Sequence, residues 1–270
     1  MFTKLLKHEW RATRGMLGTL CLVCLGACLL GGGTMRYLMI ASTQDAQQNV
    51  IVVLNVLAMV AAMIAVAVVG VAAVFLYIGR FYKSRFTDEG YLTFTLPVST
   101  HQNLLASMVN TTIGMVIMFF VICGSLLLWL MIGLPGMGEF LDTVWMKMPE
   151  LWEAMKHVWS TIPWTYVWMF LLNIVTGSVC ELVVLMLSVT IGSIIAQKHK
   201  ILAAVGAYYG IHVALSMVTS FTMAMGVFSG VDGKVWMLRF FGGTALLTAV
   251  IAVGGYFLMY WLIDRKLNLN

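Results

Sequence analysis

The sequence predicts an all-α membrane protein with six transmembrane helices, and three observations support this prediction. Hydrophobic residues make up 61% of the chain and charged residues only 10%, with a mean hydropathy of +0.95. Six apolar stretches are each long enough to cross the hydrocarbon core, which takes about 20 residues. Lys and Arg are concentrated in alternate connections between these stretches. A soluble domain would carry about 25% charged residues, so that class is excluded.

The six predicted spans share a nearly uninterrupted apolar character. They cover residues 15–35, 50–78, 104–134, 165–196, 201–228 and 240–263. The longest exceed the minimum for one crossing, so we expect them to tilt or to extend beyond the bilayer. We expect one membrane domain over residues 1–270.

The distribution of positive charge predicts the orientation, because cytoplasmic loops collect Lys and Arg. With the N-terminus inside, the inner segments hold eleven of the sixteen basic residues: Lys4, Lys7, Arg11, Arg14, Arg80, Lys83, Arg85, Lys198, Lys200, Arg265 and Lys266. Both termini are therefore predicted to be cytoplasmic. The same bias, with contact to anionic lipid, explains the net charge of +5, so nucleic acid is not an expected partner.

Residues 1–14, "MFTKLLKHEWRATR", predict an interfacial amphipathic helix that leads into the first span. Apolar side chains, including Trp10, share one helical face, and basic side chains occupy the others. An ordinary positive flank is the plainer alternative. A lipoprotein signal that ends in "LGAC" at Leu25–Cys28 is a second alternative, and cleavage there would leave five spans.

Cys21, Cys24 and Cys28 lie on one face of the first span. Metal ligation by thiolates requires compensating charge and hydrogen-bond donors that this helix lacks, which favours small packing residues instead. The five cysteines of the chain all lie in apolar segments, so no structural disulfide is predicted.

The outer loop 135–164 is the largest segment outside the membrane. Trp152, Met155 and Trp159 recur at helical spacing opposite Glu153 and Lys156. We expect an amphipathic helix on the outer leaflet or over the end of the bundle, with a substrate-gathering surface as the alternative.

Familiar nucleotide-binding and hydrolase motifs are absent from the sequence, so the chain is not predicted to be an enzyme or to hold a cofactor itself. Glu181 is the one formal charge within a predicted span, and an acid at that depth needs a partner or water. His212 lies in the next span at a comparable depth, so a proton-relay pair is one interpretation and a packing contact the other. Gly206 and Gly210 form a GxxxG pattern, which favours close helix approach within a protomer or across a dimer.

The inner loop 80–103 combines charge with apolar side chains. Within "GRFYKSRFTDEGYLTFTLPVSTHQ", a basic start turns acidic at "TDEG" and then resumes with "YLTFTLP". A solvated linker explains the charges but not the exposed Tyr91, Leu92, Phe94 and Leu96. The pattern therefore predicts a surface that a partner protein covers.

This loop resembles the cytoplasmic segment between spans two and three in the permease subunits of type 2 ABC exporters. There an acid–Gly pair precedes a "tLP" turn and a short coupling helix. The resemblance extends to the layout of the whole chain, with an N-terminal elbow helix and six spans. Within the family, the chain looks most similar to Firmicute permeases that export phenol-soluble modulins. It departs from the family where "NLLASMV" replaces the usual basic residue that opens span three.

The resemblance implies a permease in the bacterial cell membrane that pairs with a second, identical or related permease. ATP and Mg²⁺ would bind to separate ATP-binding cassette subunits, and the cargo would be amphipathic peptides. The residues that the resemblance assigns to ATPase docking are Lys83, Phe86, Asp88, Glu89, Gly90, Tyr91, Leu92 and Pro97. Lys7 and Arg11 in the elbow helix would make a second contact. The alternatives are a proton-coupled secondary transporter using Glu181 and His212, and a membrane sensor or assembly factor that moves no cargo.

Overall fold

A computed structural model of the chain describes residues 2–41, 50–87, 89–90, 98–161, 163–196, 198–228 and 230–266. Within these ranges the protein forms eight helices and no strand. The helices are α1 (Phe2–Ala41), α2 (Val50–Phe86), α3 (Thr100–Gly133), α4 (Met137–Met146), α5 (Met148–Thr161), α6 (Trp164–Ile195), α7 (Lys200–Phe228) and α8 (Gly233–Lys266).

Six of these helices, α1, α2, α3, α6, α7 and α8, are long and apolar enough to cross a membrane. The prediction of an all-helical chain with six long apolar helices is thereby confirmed for the described residues. α1 continues without a break through the predicted interfacial segment and the first span, because no proline interrupts residues 2–41. α8 begins at Gly233, seven residues before the predicted span, because the Asp232 carboxylate accepts a hydrogen bond from Lys234 N at 3.2 Å and caps the helix.

The chain divides into two compact units. The N-terminal unit comprises Thr3–Tyr77 and Val109–Ile162, and the C-terminal unit comprises Met1–Phe2, Ile78–Met108 and Pro163–Asn270. α2 and α3 each contribute residues to both units.

In the N-terminal unit, α1, α2 and α3 share a core. Cys24 of α1, Ala73 of α2 and Met118 of α3 belong to one buried cluster. Cys24 and Cys28 are fully buried, as expected for small packing residues. A Cβ placed on Gly31 would clash with the Trp129 ring, so α1 and α3 meet closely there.

The predicted amphipathic helix of the outer loop is present as α5, and the sequence did not predict α4, which precedes it. Gly136 has a φ of 86° and lies immediately before α4, a conformation that glycine adopts without strain. No residue of α4 is buried, and Trp152, Met155 and Trp159 of α5 are each more than half exposed. The Lys156 ammonium lies 2.7 Å from the Glu153 carboxylate on the polar face of α5.

In the C-terminal unit, α6 packs against both α7 and α8. α6 and α7 approach closely at Gly192 of α6, where an added Cβ would lie 2.5 Å from the backbone of Ala204. A Cβ on Gly206 or Gly210 would meet no atom within 4 Å, so this GxxxG pattern makes no close helix contact in the described part of the protomer. Asn173 of α6 donates a hydrogen bond to Thr244 of α8 at 2.6 Å, and this polar contact joins α6 to α8.

Candidate functional site

The inner loop between α2 and α3 begins with a network of ion pairs. Glu89 accepts from Arg80 at 3.0 Å and lies 3.1 Å from the Lys83 ammonium. The hydrogen bond from Lys83, together with the positive charges of Lys83 and Arg80, holds the pKa of the Glu89 carboxyl below its ordinary value. The carboxylate side chain is 42% exposed, so water screens these pairs and each contributes little to stability.

Arg85, in the last turn of α2, is the largest fully buried polar side chain in the described part of the chain, with 1% of its surface exposed. Its guanidinium donates to the Asn103 carbonyl at 2.9 Å, to the Asn103 Oδ1 at 3.2 Å and to the Ser107 Oγ at 2.9 Å. It also lies 4.5 Å from the centre of the Phe81 ring. The planar fork of Arg matches several acceptors at once, so Arg85 joins the end of α2 to the start of α3.

Sequence reasoning counted Arg85 only among the inner basic residues and did not assign it to the site. The signal that identifies it is the pair Asn103 and Ser107, which lie four residues apart on one face at the start of an apolar helix. Two polar groups at such positions require a buried donor, and a basic residue at the end of α2 provides it.

Gly90 lies against the end of α2. A Cβ at this position would be 2.5 Å from the backbone oxygen of Arg85, so no larger residue fits without moving the chain. The Gly90 N–H donates to the Thr87 carbonyl at 2.7 Å, which closes a tight turn after the helix. The glycine of the predicted "TDEG" turn is therefore required by a close backbone contact.

The other predicted docking residues differ in how far the structure describes them. Phe86 is partly buried and stacks on Tyr82, with 5.9 Å between ring centres. Lys83 is exposed on the last turns of α2. The residues outside the described part of the chain are Asp88, Tyr91, Leu92 and Pro97. In the N-terminal unit, Lys7 and Arg11 are exposed on α1.

A second contact holds the start of α3, this time against α8. The His101 ring stacks on Tyr260 with 3.9 Å between ring centres, and its Nδ1 lies 2.9 Å from the Tyr256 hydroxyl. Sequence reasoning did not identify this cluster, because the two tyrosines are more than 150 residues away along the chain. The exit of the loop is thus fixed to α2 by Arg85 and to α8 by His101.

The structure brings Glu181 and His212 together, within the C-terminal unit. The His212 Nε2 lies 3.2 Å from the Glu181 Oε2, close enough for an ion pair but outside hydrogen-bond geometry. Tyr208, one helical turn before His212, donates to the Glu181 Oε1 at 2.6 Å. Sequence reasoning missed Tyr208, although its spacing of four residues from His212 places both on one face of α7.

Each polar cluster of the C-terminal unit therefore has a distinct chemical character. The Arg85 and His101 clusters are buried or partly buried hydrogen-bonding contacts at the ends of the inner loop, and the Glu181 cluster is an acid–phenol–imidazole group between two spans. No group of three or more metal-ligating side chains occurs among the described residues. No protein-family model, curated protein or solved structure matches the chain.

Proposed function

We propose that the protein is the permease subunit of an ATP-driven exporter of the type 2 ABC class. The observation that supports this most directly is the inner loop, whose two ends are cross-linked by the buried guanidinium of Arg85. A solvated linker does not require such a link. A loop that receives force from a partner does require it, because otherwise the motion would be absorbed where the helices begin.

In this proposal, ATP binding closes two partner ATPases and moves the loop that is docked on them. Arg85 bonds to both Asn103 and Ser107, so the ends of α2 and α3 move together. The contact of His101 with Tyr256 and Tyr260 passes the displacement on to α8. The loop thus acts on the ends of α2 and α3 and on α8.

The docking surface would comprise the charged and apolar residues of the loop. Lys83 and Glu89 are exposed enough to exchange their mutual ion pair for pairs with the ATPase. Asp88 would add a second acid, and Tyr91 and Leu92 would fill a groove in the partner, since buried apolar anchors dominate such interfaces. ATP and Mg²⁺ would be held by the partner alone.

The remaining features of the proposal follow from the resemblance and from the charge distribution. The protein would lie in the bacterial cell membrane with both termini in the cytoplasm and would pair with a second permease. Its cargo would be amphipathic peptides, which approach the translocation path from the membrane.

The proposal is tested by purifying the protein with its neighbouring gene products in mild detergent and measuring ATP hydrolysis. Wild type should retain an ATPase in stoichiometric amount, and Asp88→Lys/Glu89→Lys should lose it. The matched control is Glu150→Lys/Glu153→Lys on α5, an equal charge reversal that should leave the ATPase bound. If wild type retains no ATPase, or if both double variants lose it equally, the proposal fails.

A proton-coupled carrier is the second candidate, favoured by the 3.2 Å approach of His212 to Glu181. A small rotation of either side chain would bring this acid and imidazole into a hydrogen bond, and intramembrane ionisable groups commonly mark proton pathways. This function requires transport in proteoliposomes that follows an imposed pH gradient without ATP. Transport should be lost in Glu181→Gln and retained in Glu153→Gln.

A further inference from the structure

A shallow groove runs along α7 beside the Glu181 cluster. Two apolar side chains, Val213 and Met217, and three polar ones, His212, Ser216 and Ser220, line most of it. Its volume of about 450 Å³ lies within the range of small-molecule sites, about 300–1,000 Å³. Tyr209 and Ser220 form its ends, eleven residues apart, which at about 1.5 Å per residue gives a length of about 16 Å. These dimensions fit one extended aliphatic chain.

The hydroxyl groups of the groove distinguish it from the other helix faces. The side-chain hydroxyl of every other serine in the described ranges donates or accepts a hydrogen bond, whereas the hydroxyls of Ser216 and Ser220 make none. A hydroxyl that faces hydrocarbon without a partner costs free energy, so this face is suited to water or to a ligand with polar groups.

Glu181 lies at one side of the groove, next to His212, which both lines the groove and faces the Glu181 carboxylate. The Glu181 side chain is 43% exposed, and each of its oxygens has one protein partner at most. A carboxylate oxygen accepts two hydrogen bonds, so acceptor capacity remains. An ionised acid at this depth is stabilised by a positive group, and an ammonium with three donors provides both charge and hydrogen bonds.

We propose that this groove binds a single-chain amphiphile with a primary ammonium head group. The ammonium pairs with the Glu181 carboxylate, and the aliphatic chain lies along Val213 and Met217. The hydroxyls of Ser216 and Ser220 would face any polar substituent on the aliphatic chain of the ligand. This binding goes beyond the proposed exporter function and requires no ATPase.

The test is a native mass-spectrometric titration of the full chain in a neutral detergent, with dodecylamine as the cationic probe and dodecanol as its uncharged match. Wild type should bind one dodecylammonium at least about tenfold more tightly than dodecanol. Glu181→Gln keeps the size of the side chain and an acceptor for Tyr208, and should bring the two affinities within about threefold. The control Glu153→Gln, on the exposed face of α5, should preserve the wild-type ratio.

A second variant tests the groove itself and covers the case in which Glu181→Gln does not fold. Ser216→Leu/Ser220→Leu fills the groove with apolar side chains that suit a transmembrane helix, and it should weaken binding of both probes. Equal binding of the two probes to wild type, or an unchanged ratio in Glu181→Gln, would overturn the inference. If the protein binds dodecylammonium selectively but retains no ATPase in the co-purification, the inference stands and the exporter proposal fails. If it retains the ATPase but binds both probes equally, the exporter proposal stands and the inference fails.

Discussion

Replacing Arg85 by alanine tests whether the buried guanidinium holds the ends of α2 and α3 together. In the native structure Asn103 is 5% exposed and accepts from Arg85 through both its carbonyl and its side-chain oxygen. Leaving a buried acceptor without its donor costs about 1–3 kcal/mol. Two such acceptors together cost about 2–6 kcal/mol. Part of this cost is offset because the variant no longer buries a charge. We therefore expect a loss of about 3 kcal/mol in the free energy of unfolding.

The assay is equilibrium unfolding of purified protein in mixed micelles, followed by circular dichroism. The matched control is Arg80→Ala, which removes a basic residue five positions earlier on the same helix. Arg80 pairs with an acid whose side chain is 42% exposed, so this loss should stay below about 1 kcal/mol. A loss below about 1 kcal/mol for Arg85→Ala, or equal losses for the two variants, would refute the reasoning.

Three further predictions concern the loop and the helix contacts. Gly90→Ala places a Cβ within 2.5 Å of the backbone at the end of α2 and should cost about 1–3 kcal/mol in thermal-unfolding experiments, whereas Gly79→Ala, with no atom within 4 Å, should cost nothing. Gly192→Ala should destabilise the protein by a similar amount, because the added Cβ meets the backbone of α7. Gly206→Ala, where the Cβ meets no atom within 4 Å, is the control, and equal melting temperatures for the two variants would contradict the packing described. The pKa of Glu89 lies below its ordinary value of 4.5, so its ion pairs contribute fully above that pH and are lost as pH falls through the lowered pKa. Melting temperatures of wild type and Glu89→Gln should therefore converge in the acid range, and a difference that grows there would show the opposite sign.

The inner loop shows how far sequence reasoning reaches into the site. The order of charges around Glu89 and the need for a turn at Gly90 follow from local sequence, because both depend on neighbours a few residues away. The partner of Arg85 does not follow from local sequence, because Asn103 comes next to Arg85 only when particular faces of α2 and α3 pack together. The same reason applies to the stacking of His101 on Tyr260, across more than 150 residues.

Small residues give a second example. The GxxxG pattern at Gly206 and Gly210 identifies a face that permits close approach, but it does not say whether a neighbour occupies that face. In the described part of the protomer, an added Cβ would instead clash at Gly192, with the backbone of Ala204, and at Gly226, with the Trp236 ring. The arrangement of α6, α7 and α8 decides which glycine has a helix against it.

The sequence by itself determined the six apolar helices and the position of the polar loop. In hydrocarbon a chain must satisfy its backbone hydrogen bonds within each helix, so length and composition are sufficient to predict a span. Tertiary structure decided which side chains meet: Arg85 with Asn103, and Tyr208 and His212 with Glu181. Those meetings depend on the rotation of each helix about its axis, which is set by packing against its neighbours and not by the residues of that helix alone.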